Sequence, residues 1–355
     1  MPNQKKTKVA VIDSGVDIRN SFFKDKDIVC LKVEEDKVVE CNTDTNGHGT
    51  LVVSYILREC ENVDIISIQI LNEENHSSLD KLIQSINYCI KNKIDIINLS
   101  LGIHIRSNKI EELKLVCNKA VSNGILIFAA HSNVGKVSYP ANLKNVIGIG
   151  YDKRIKGDIF KIDKYKMDII FSTSLLSMNH FGISASKSGS SFLCPYIVGV
   201  FCRYIYYYKI DIQKENIYYL FLNFINLLNS QYKYKIFNLF PNDLKNKKVL
   251  FYPNNKTNQN IVETYSSIFS SLKFYSPTNK NYDFIYSDLD KHIENIDLIA
   301  IGNIDYQKDR IHVQSLIQAI KHYDIDILVR YPFVSTFDRY ILSKETGKNV
   351  YCQHL

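Results

Sequence analysis

The chain has 355 residues, 45% of them apolar, and a formal net charge of +7 from 44 Lys and Arg against 37 Asp and Glu. That length exceeds what one hydrophobic core usually holds, so one large and one small domain are expected, and the apolar share is ordinary for a globular protein. The basic residues are scattered rather than gathered in one run, which argues against nucleic-acid binding, and the longest apolar stretch, Ile217 to Leu228, is too short to span a bilayer.

Cys30, Cys41, Cys60, Cys89, Cys117, Cys194, Cys202 and Cys352 contain no CxxC pair and no short metal-like spacing. They read as free thiols in a reduced interior, and a cytoplasmic location is expected. Met1 to Lys6 is basic but is followed by no apolar h-region and no cleavage pattern, so no secretory leader is expected.

Val9 to Ile12 has no apolar/polar alternation, the pattern of a parallel strand covered on both faces. Asp13 follows at its carboxyl end, where open α/β sheets place their sites; taken singly, it reads equally as a turn cap with Ser14 and Gly15. Residues 21–45 are charged and irregular and are expected to form a surface excursion. Gly47-His48-Gly49-Thr50 precedes the apolar run Leu51 to Leu57, which puts His48 at the start of a helix apolar nearly all round. A strand is expected over Val63–Leu71, an amphipathic helix over Ser78–Asn92 and a buried strand over Asp95–Gly102. A helix follows, with Asn108 and Glu111 in capping-box spacing and Gly124 at its end. A further strand, Ile125–Ala130, runs into His131-Ser132-Asn133.

Gly189-Ser190-Ser191-Phe192-Leu193-Cys194-Pro195 has the form of a turn that delivers a serine to the mouth of a buried helix. Ser190 and Ser191 are good helix-start residues, and Pro195 is tolerated in a first turn, so the helix is expected to begin near Ser191. A serine hydroxyl alone is a weak nucleophile. It needs a histidine base, a carboxylate to orient that base, and donors for an oxyanion, and the chain supplies one of each.

Asp13, His48 and Ser191, in that order and each in its own local sequence, resemble the subtilisin-like serine proteases, the subtilases. The resemblance covers about residues 8 to 205 in at least five blocks. It implies a subtilisin-like three-layer α/β fold with a mostly parallel sheet, and a serine endopeptidase acting on a peptide or protein. Ser191 would be the nucleophile, His48 the base, Asp13 its orienting carboxylate and Asn133 the side-chain oxyanion donor. Ser100, Leu101 and Gly102 would pair with substrate backbone and wall the first specificity pocket, beside Ala130 and Ser132. The family's usual Ala-Gly before the asparagine here reads His131-Ser132, which implies a narrower or more polar pocket; His131 either lines it or packs elsewhere. A non-catalytic peptide-binding protein of the same fold is the alternative, and the filled catalytic positions argue against it.

Residues 1–8 leave no room for the family's inhibitory propeptide or for the helix before the aspartate strand, so folding without an intramolecular chaperone is expected. The segment that helps build the family's strong calcium site is also missing. Asp25, Asp27, Glu34, Glu35 and Asp36 could offer oxygens to calcium but form no recognised loop pattern, so no cofactor or metal is expected to be required.

The helix Gln213–Asn229 is expected to close a peptidase domain of residues 1–229, and the polar, turn-rich stretch 230–246 reads as a linker. Residues 247–355 alternate short strands and helices: strand Val249–Tyr252, helix Gln259–Leu272, strands Phe284–Tyr286 and Leu298–Ile301, helix Ile311–His322 and strand Ile325–Val329. This pattern predicts a small α/β domain with a mainly parallel sheet and, lacking a phosphate-binding glycine motif, no nucleotide site. Binding of substrate, a partner or a second copy of the chain is the expected role.

Overall fold

The computed structural model describes residues 5–35, 37–103, 109–152, 154, 160–171, 189–230, 236–238, 247–252, 271–274, 289–301, 310–331 and 342–354. The chain divides into two compact units, with the division after Ile225.

The first unit begins with β1 (Thr7–Asp13), whose run Val9–Ile12 is completely buried. β2 (Ile28–Glu34), β3 (Lys37–Glu40), α1 (His48–Glu59), β4 (Val63–Gln69), α2 (Leu79–Lys91), β5 (Ile96–Leu99), α3 (Lys109–Ser122), β6 (Leu126–Ala130) and β7 (Ile147–Tyr151) follow. β8 (Phe160–Asp163), β9 (Asp168–Phe171) and α4 (Ser190–Tyr208) complete the series, and α5 (Ile217–Ser230) runs across the division at Ile225. The sheet runs in the order β3-β2-β4-β1-β5-β6-β7-β9-β8. Every neighbouring pair is parallel except β2 with β3 and β8 with β9, one at each edge.

Parallel strands must be covered on both faces, and the alternation of side chains along each strand feeds two cores. Ala10 and Ile12 of β1, Ile66 and Ile68 of β4 and Ile97 and Leu99 of β5 pack with Leu82 and Ile86 of α2 and Val116 and Ala120 of α3. α1 and α4 pack together on the opposite face. The result is a three-layer α/β/α unit. β1 is followed by β2 on one side of it and its neighbour β5 by β6 on the other, so the chain reverses direction across the sheet between them, the arrangement that leaves a crevice outside the strand ends, beside Asp13.

One expectation for this unit is corrected. Residues 21–45 are not an irregular excursion: they contain β2, paired in register with β4, and its hairpin partner β3. Charged Lys32 and Glu34 in β2 mask the buried Leu31 and Val33. The charged segment after Gly150 likewise contains the edge pair β8 and β9. Asn108 lies outside the described residues, while Gly124 ends α3 with a positive φ of 81°, the left-handed conformation that favours glycine.

The second unit holds β10 (Ile236–Asn238), β11 (Lys248–Tyr252), β12 (Ser271–Phe274), β13 (Leu298–Ile301), α6 (Arg310–Lys321), β14 (Asp326–Tyr331) and β15 (Val350–His354). Its sheet, ordered β10-β15-β14-β13-β11-β12, is parallel throughout. Leu250, Ile299, Ile301, Leu316, Ile320, Ile327 and Val350 share its core. Ser271 and Leu272, expected at the end of a helix, belong to edge strand β12 instead; residues 259–270 and 284–286 lie outside the described residues. Ile236–Asn238, placed by sequence in a linker, pairs with β15, a strand that the mixed sequence VYCQH did not announce.

α1 and α4 approach closely at Gly199. A Cβ there would lie 2.7 Å from Glu59 Cβ and 2.8 Å from the Ile56 carbonyl oxygen. Gly199→Val is expected to cost about 3 kcal/mol by overpacking, read as a lower urea midpoint at unchanged slope; an unchanged midpoint would show that the two helices can move apart freely.

Candidate active site

Asp13 ends β1 with no exposed surface, and His48 is the first residue of α1, which enters from the β3 side. The two meet: His48 Nδ1 lies 2.7 Å from Asp13 Oδ1. Asp13 Oδ1 also accepts the Ser14 N–H at 2.8 Å. An ionised carboxylate can only accept, so in that state the imidazole proton sits on Nδ1 and Nε2 is left as a base.

Glycine makes this junction possible. Gly15 has φ 104°, and a Cβ on it would collide with the Thr43 carbonyl; a Cβ on Gly49 would collide with the Gly15 carbonyl. The backbones of the β1 turn and of α1 therefore touch directly, which no other residue at either position would allow.

Asp44, which the sequence reading passed over, ties the junction together. Its Oδ1 accepts from Ser14 Oγ at 2.7 Å, Gly47 N–H at 2.9 Å and Asn46 N–H at 3.2 Å; its Oδ2 accepts from Thr50 N–H at 2.8 Å and from the Thr50 hydroxyl. Ser14 Oγ in turn accepts the Gly49 N–H at 2.9 Å. Asp44 is thus a capping carboxylate for α1, satisfying N–H groups that a helix start leaves unpaired. Burial alone would raise its pKa, but the Thr50 and Ser14 hydroxyls and the Thr50 and Asn46 amides outweigh that and hold it below the ordinary carboxylate value. A residue that caps from a loop in this way has no spacing signature, so only the Asp-Thr-Asn-Gly-His run hinted at it.

α4 begins at Ser190, and Ser191 is its second residue, half-buried. Pro195 falls in the second turn rather than the first, and its missing N–H leaves the Ser191 carbonyl without the usual intrahelical donor. Asn133 lies against this helix start. Its Oδ1 accepts the Ser190 N–H and hydroxyl, both at 2.9 Å, and the Ser190 hydroxyl also reaches the His131 carbonyl. With its oxygen so engaged, the Asn133 amide presents Nδ2 beside Gly189. On the other side of Ser191, the Phe192 ring packs on His48 with centroids 5.2 Å apart. The start of α4 thus carries Ser191 between a residue held by Asn133 and one packed on His48.

The expected substrate strand lies nearby. Ser100 is buried and accepts from Asn98 Nδ2 at 3.0 Å, Leu101 is half-buried and Gly102 is exposed. A Cβ on Gly102 would meet Ser138 at 3.1 Å and the Ala130 carbonyl at 3.7 Å, and Ser138 Oγ accepts the Ser132 N–H at 3.0 Å. Ser100–Gly102 and Ala130–Ser132 are therefore neighbours around Ser138. His131, the departure from the family pattern, turns to β9: its Nε2 lies 3.0 Å from Asp168 Oδ1, without the alignment of a directional hydrogen bond. The pair packs over Gly148, where a side chain would collide with both.

Among the described residues no three His, Cys, Asp or Glu side chains gather so as to hold a metal ion. Asp25, Asp27, Glu34 and Glu35 are exposed, Glu34 paired with Lys32 at 2.7 Å; Asp36 lies outside the described residues. No described helix is long and apolar enough to cross a membrane.

A depressed folded-state pKa stabilises the fold above the unfolded value, and that contribution is lost as pH falls through the folded value. Asp44→Asn is therefore expected to destabilise by about 2 kcal/mol at neutral pH, the scale of hydrogen bonds to a charged acceptor. The gap from the parent should shrink below about pH 4, near the ordinary aspartate value. Urea unfolding across a pH series measures it; a gap that persists into acid would assign Asp44 a role through shape alone.

Residues 4–274 match the subtilase family, peptidase S8. The chain is similar to an intracellular serine protease of Paenibacillus polymyxa, 31% identical over 54% of this chain and 64% of the relative. It is also similar to the major intracellular serine protease of Bacillus subtilis, 32% identical over 41% of this chain and 51% of the relative. With subtilisin DY of Bacillus licheniformis it shares 27% identity over 54% of this chain and 74% of the relative. The match to the two intracellular relatives thus spans less than two thirds of their length. With three quarters of its residues inside the family match and a three-layer α/β unit around a parallel sheet, this chain belongs to the subtilase family.

Proposed function

We propose that the chain is a serine endopeptidase that processes a particular peptide or protein in the cytoplasm. The observation that carries this is the 2.7 Å contact of His48 Nδ1 with Oδ1 of the fully buried Asp13, at the mouth of a crevice that the start of α4 also faces. In this reading Ser191 Oγ attacks the scissile carbonyl, and His48 Nε2 takes its proton and later gives it to the leaving amine. Asp13 holds the imidazole in the Nδ1–H tautomer and stabilises the imidazolium. Asn133 Nδ2 and the Ser191 N–H stabilise the oxyanion, strengthened by the positive end of α4. Ser100, Leu101 and Gly102 take the substrate backbone as an added strand, and Ala130 and Ser132 line the first pocket. The names of the two intracellular relatives support the location, and no cofactor takes part.

Ser191→Ala is expected to abolish turnover of a fluorogenic peptide while leaving the unfolding midpoint unchanged, because the hydroxyl does chemistry and adds little volume. His48→Ala should be nearly as damaging, since triad members act as a unit. Asn133→Ala should lower kcat by about 100- to 1,000-fold. A fluorophosphonate that labels the native chain on Ser191, and fails on the denatured one, checks the same assignment; absence of label would favour a peptide-binding protein. Because His48 must be neutral to act as base, turnover should rise from acid toward neutral pH, and a flat profile in folded protein would contradict the assignment.

We further propose that residues 1–229 are the peptidase domain and residues 247–355 an accessory domain that recognises substrate, a partner or a second copy of the chain. Residues 1–229 contain every proposed catalytic group, so this truncation should cleave a short unstructured peptide yet lose efficiency toward the natural substrate. An insoluble truncation would make the second domain structural, and equal activity on all substrates would remove its recognition role.

A further inference from the structure

Of the seven described cysteines, all but Cys41 are buried. Burial pushes the thiols of Cys89, Cys194 and Cys202 far above their ordinary value and that of Cys117 up to about 12, which leaves them inert. Cys41 is different in two respects: it is half-buried beside the catalytic turn, and it has a second thiol across from it.

β2 and β3 are antiparallel with Leu31 opposite Glu40, and the next pair in that register is Cys30 opposite Cys41. The Cys41 N–H donates to the Cys30 carbonyl at 3.0 Å, so the pairing continues through them. Directly opposed residues of an antiparallel pair have Cα atoms about 4.5–5.5 Å apart and side chains on one face, within the roughly 4.4–6.8 Å that a disulfide spans. The two sulfurs sense each other: the Cys30 thiol is pushed up to about 11, first by burial and then by Cys41.

The reduced Cys41 is also a structural link. Its Sγ donates to Gln69 Oε1 at 3.3 Å and lies 3.2 Å from Thr43 Oγ1. Gln69 Nε2 donates to the Ser14 carbonyl at 2.9 Å, the Thr43 carbonyl packs against Gly15, and Asp44 follows at once. Every one of these contacts feeds the junction that sets His48 against Asp13.

We propose that Cys30 and Cys41 are a reversible redox pair, closing to a disulfide under a peroxide and loosening the turn that seats His48. The Cys41 thiolate attacks one oxygen of hydrogen peroxide: an S–O bond forms, the O–O bond breaks, and the departing hydroxide combines with the proton given up by the Cys41 thiol to form water. Cys30 sulfur then attacks the sulfenic sulfur, an S–S bond forms, and the S–O bond breaks with the hydroxide leaving as water with the Cys30 proton. Two thiols are oxidised and one peroxide is reduced to two waters. Turning Cys41 Sγ toward Cys30 breaks its bond to Gln69, so the oxidised chain seats the β1 turn less firmly.

The test uses the full chain, reduced, desalted and exposed to low hydrogen peroxide, then alkylated and digested. Trypsin cuts at Lys32 and Lys37 between the two cysteines, so the expected product is a linked pair of peptides that dithiothreitol separates. Turnover of a fluorogenic peptide should fall several-fold and recover with dithiothreitol, whereas Cys30→Ser should start at parental activity, form no link and retain a sulfenic acid on Cys41 that dimedone traps. Oxidation of Cys41 in the parent without any link to Cys30 would overturn the pair. A link formed with unchanged turnover would overturn its coupling to the site. Only this activity arm rests on the peptidase reading: a reduced chain without turnover would count against that reading, and the link would still decide the pair.

Discussion

A carboxylate with no exposed surface is expensive to keep charged, and Asp13 ends a run, Val9–Asp13, in which no residue has exposed surface. The hydrogen bonds from His48 and the Ser14 amide are what make that placement tolerable. Much of the first unit follows from this requirement. β1 must end where two neighbouring strands diverge, α1 must start with its first residue facing the carboxylate, and the two turns must come close enough that glycine is needed on both sides. Asp44 supplies the remaining constraint by gathering donors from Ser14, Asn46, Gly47 and Thr50 onto one side chain.

The other half of the site is held by a different kind of contact. Ser190 donates its N–H to Asn133 Oδ1, and its hydroxyl lies between that oxygen and the His131 carbonyl, so hydrogen bonds tie the strand end of β6 to the start of α4. His131 bears on this indirectly. Its backbone belongs to that clamp while its imidazole turns to Asp168, away from the Asn133 side chain that holds Ser190. Ser132, whose amide is held by Ser138, is then the departure that lies beside Gly102, which packs on the same serine.

The residues proposed to carry chemistry stand out in the sequence because each lies at an abrupt change of pattern: Asp13 after a purely apolar run, His48 between glycines before an apolar helix, Ser191 ahead of another. The central strands were legible for the same reason, being apolar without alternation. The edges were not. β2, β8 and β15 mix charged or polar side chains with apolar ones, and their strand character comes from a neighbour brought in by the fold, a partner that local sequence does not contain. Asp44 escaped notice because its role depends on five donors assembled in space around a loop. The register of Cys30 with Cys41 and the contact of His131 with Asp168 across Gly148 were hidden likewise, since each needs strand pairing before the two residues become neighbours.

The order of strands in the second unit bears on how the protein is made. β15, residues 350–354, lies inside that sheet between β10 and β14, more than a hundred positions after the strand it joins on one side. A nascent chain can complete the nine-stranded sheet of the first unit once β9 has emerged. The six-stranded sheet must wait until Val350–His354 leave the ribosome, with the edges of β10 and β14 unpaired meanwhile. Domains that fold in sequence from the N-terminus expose such edges for the time it takes to synthesise the intervening segment. Chaperone demand during synthesis would therefore fall on the second unit, and a ribosome stalled before Val350 would release a chain with its first sheet formed and its second sheet missing an interior strand.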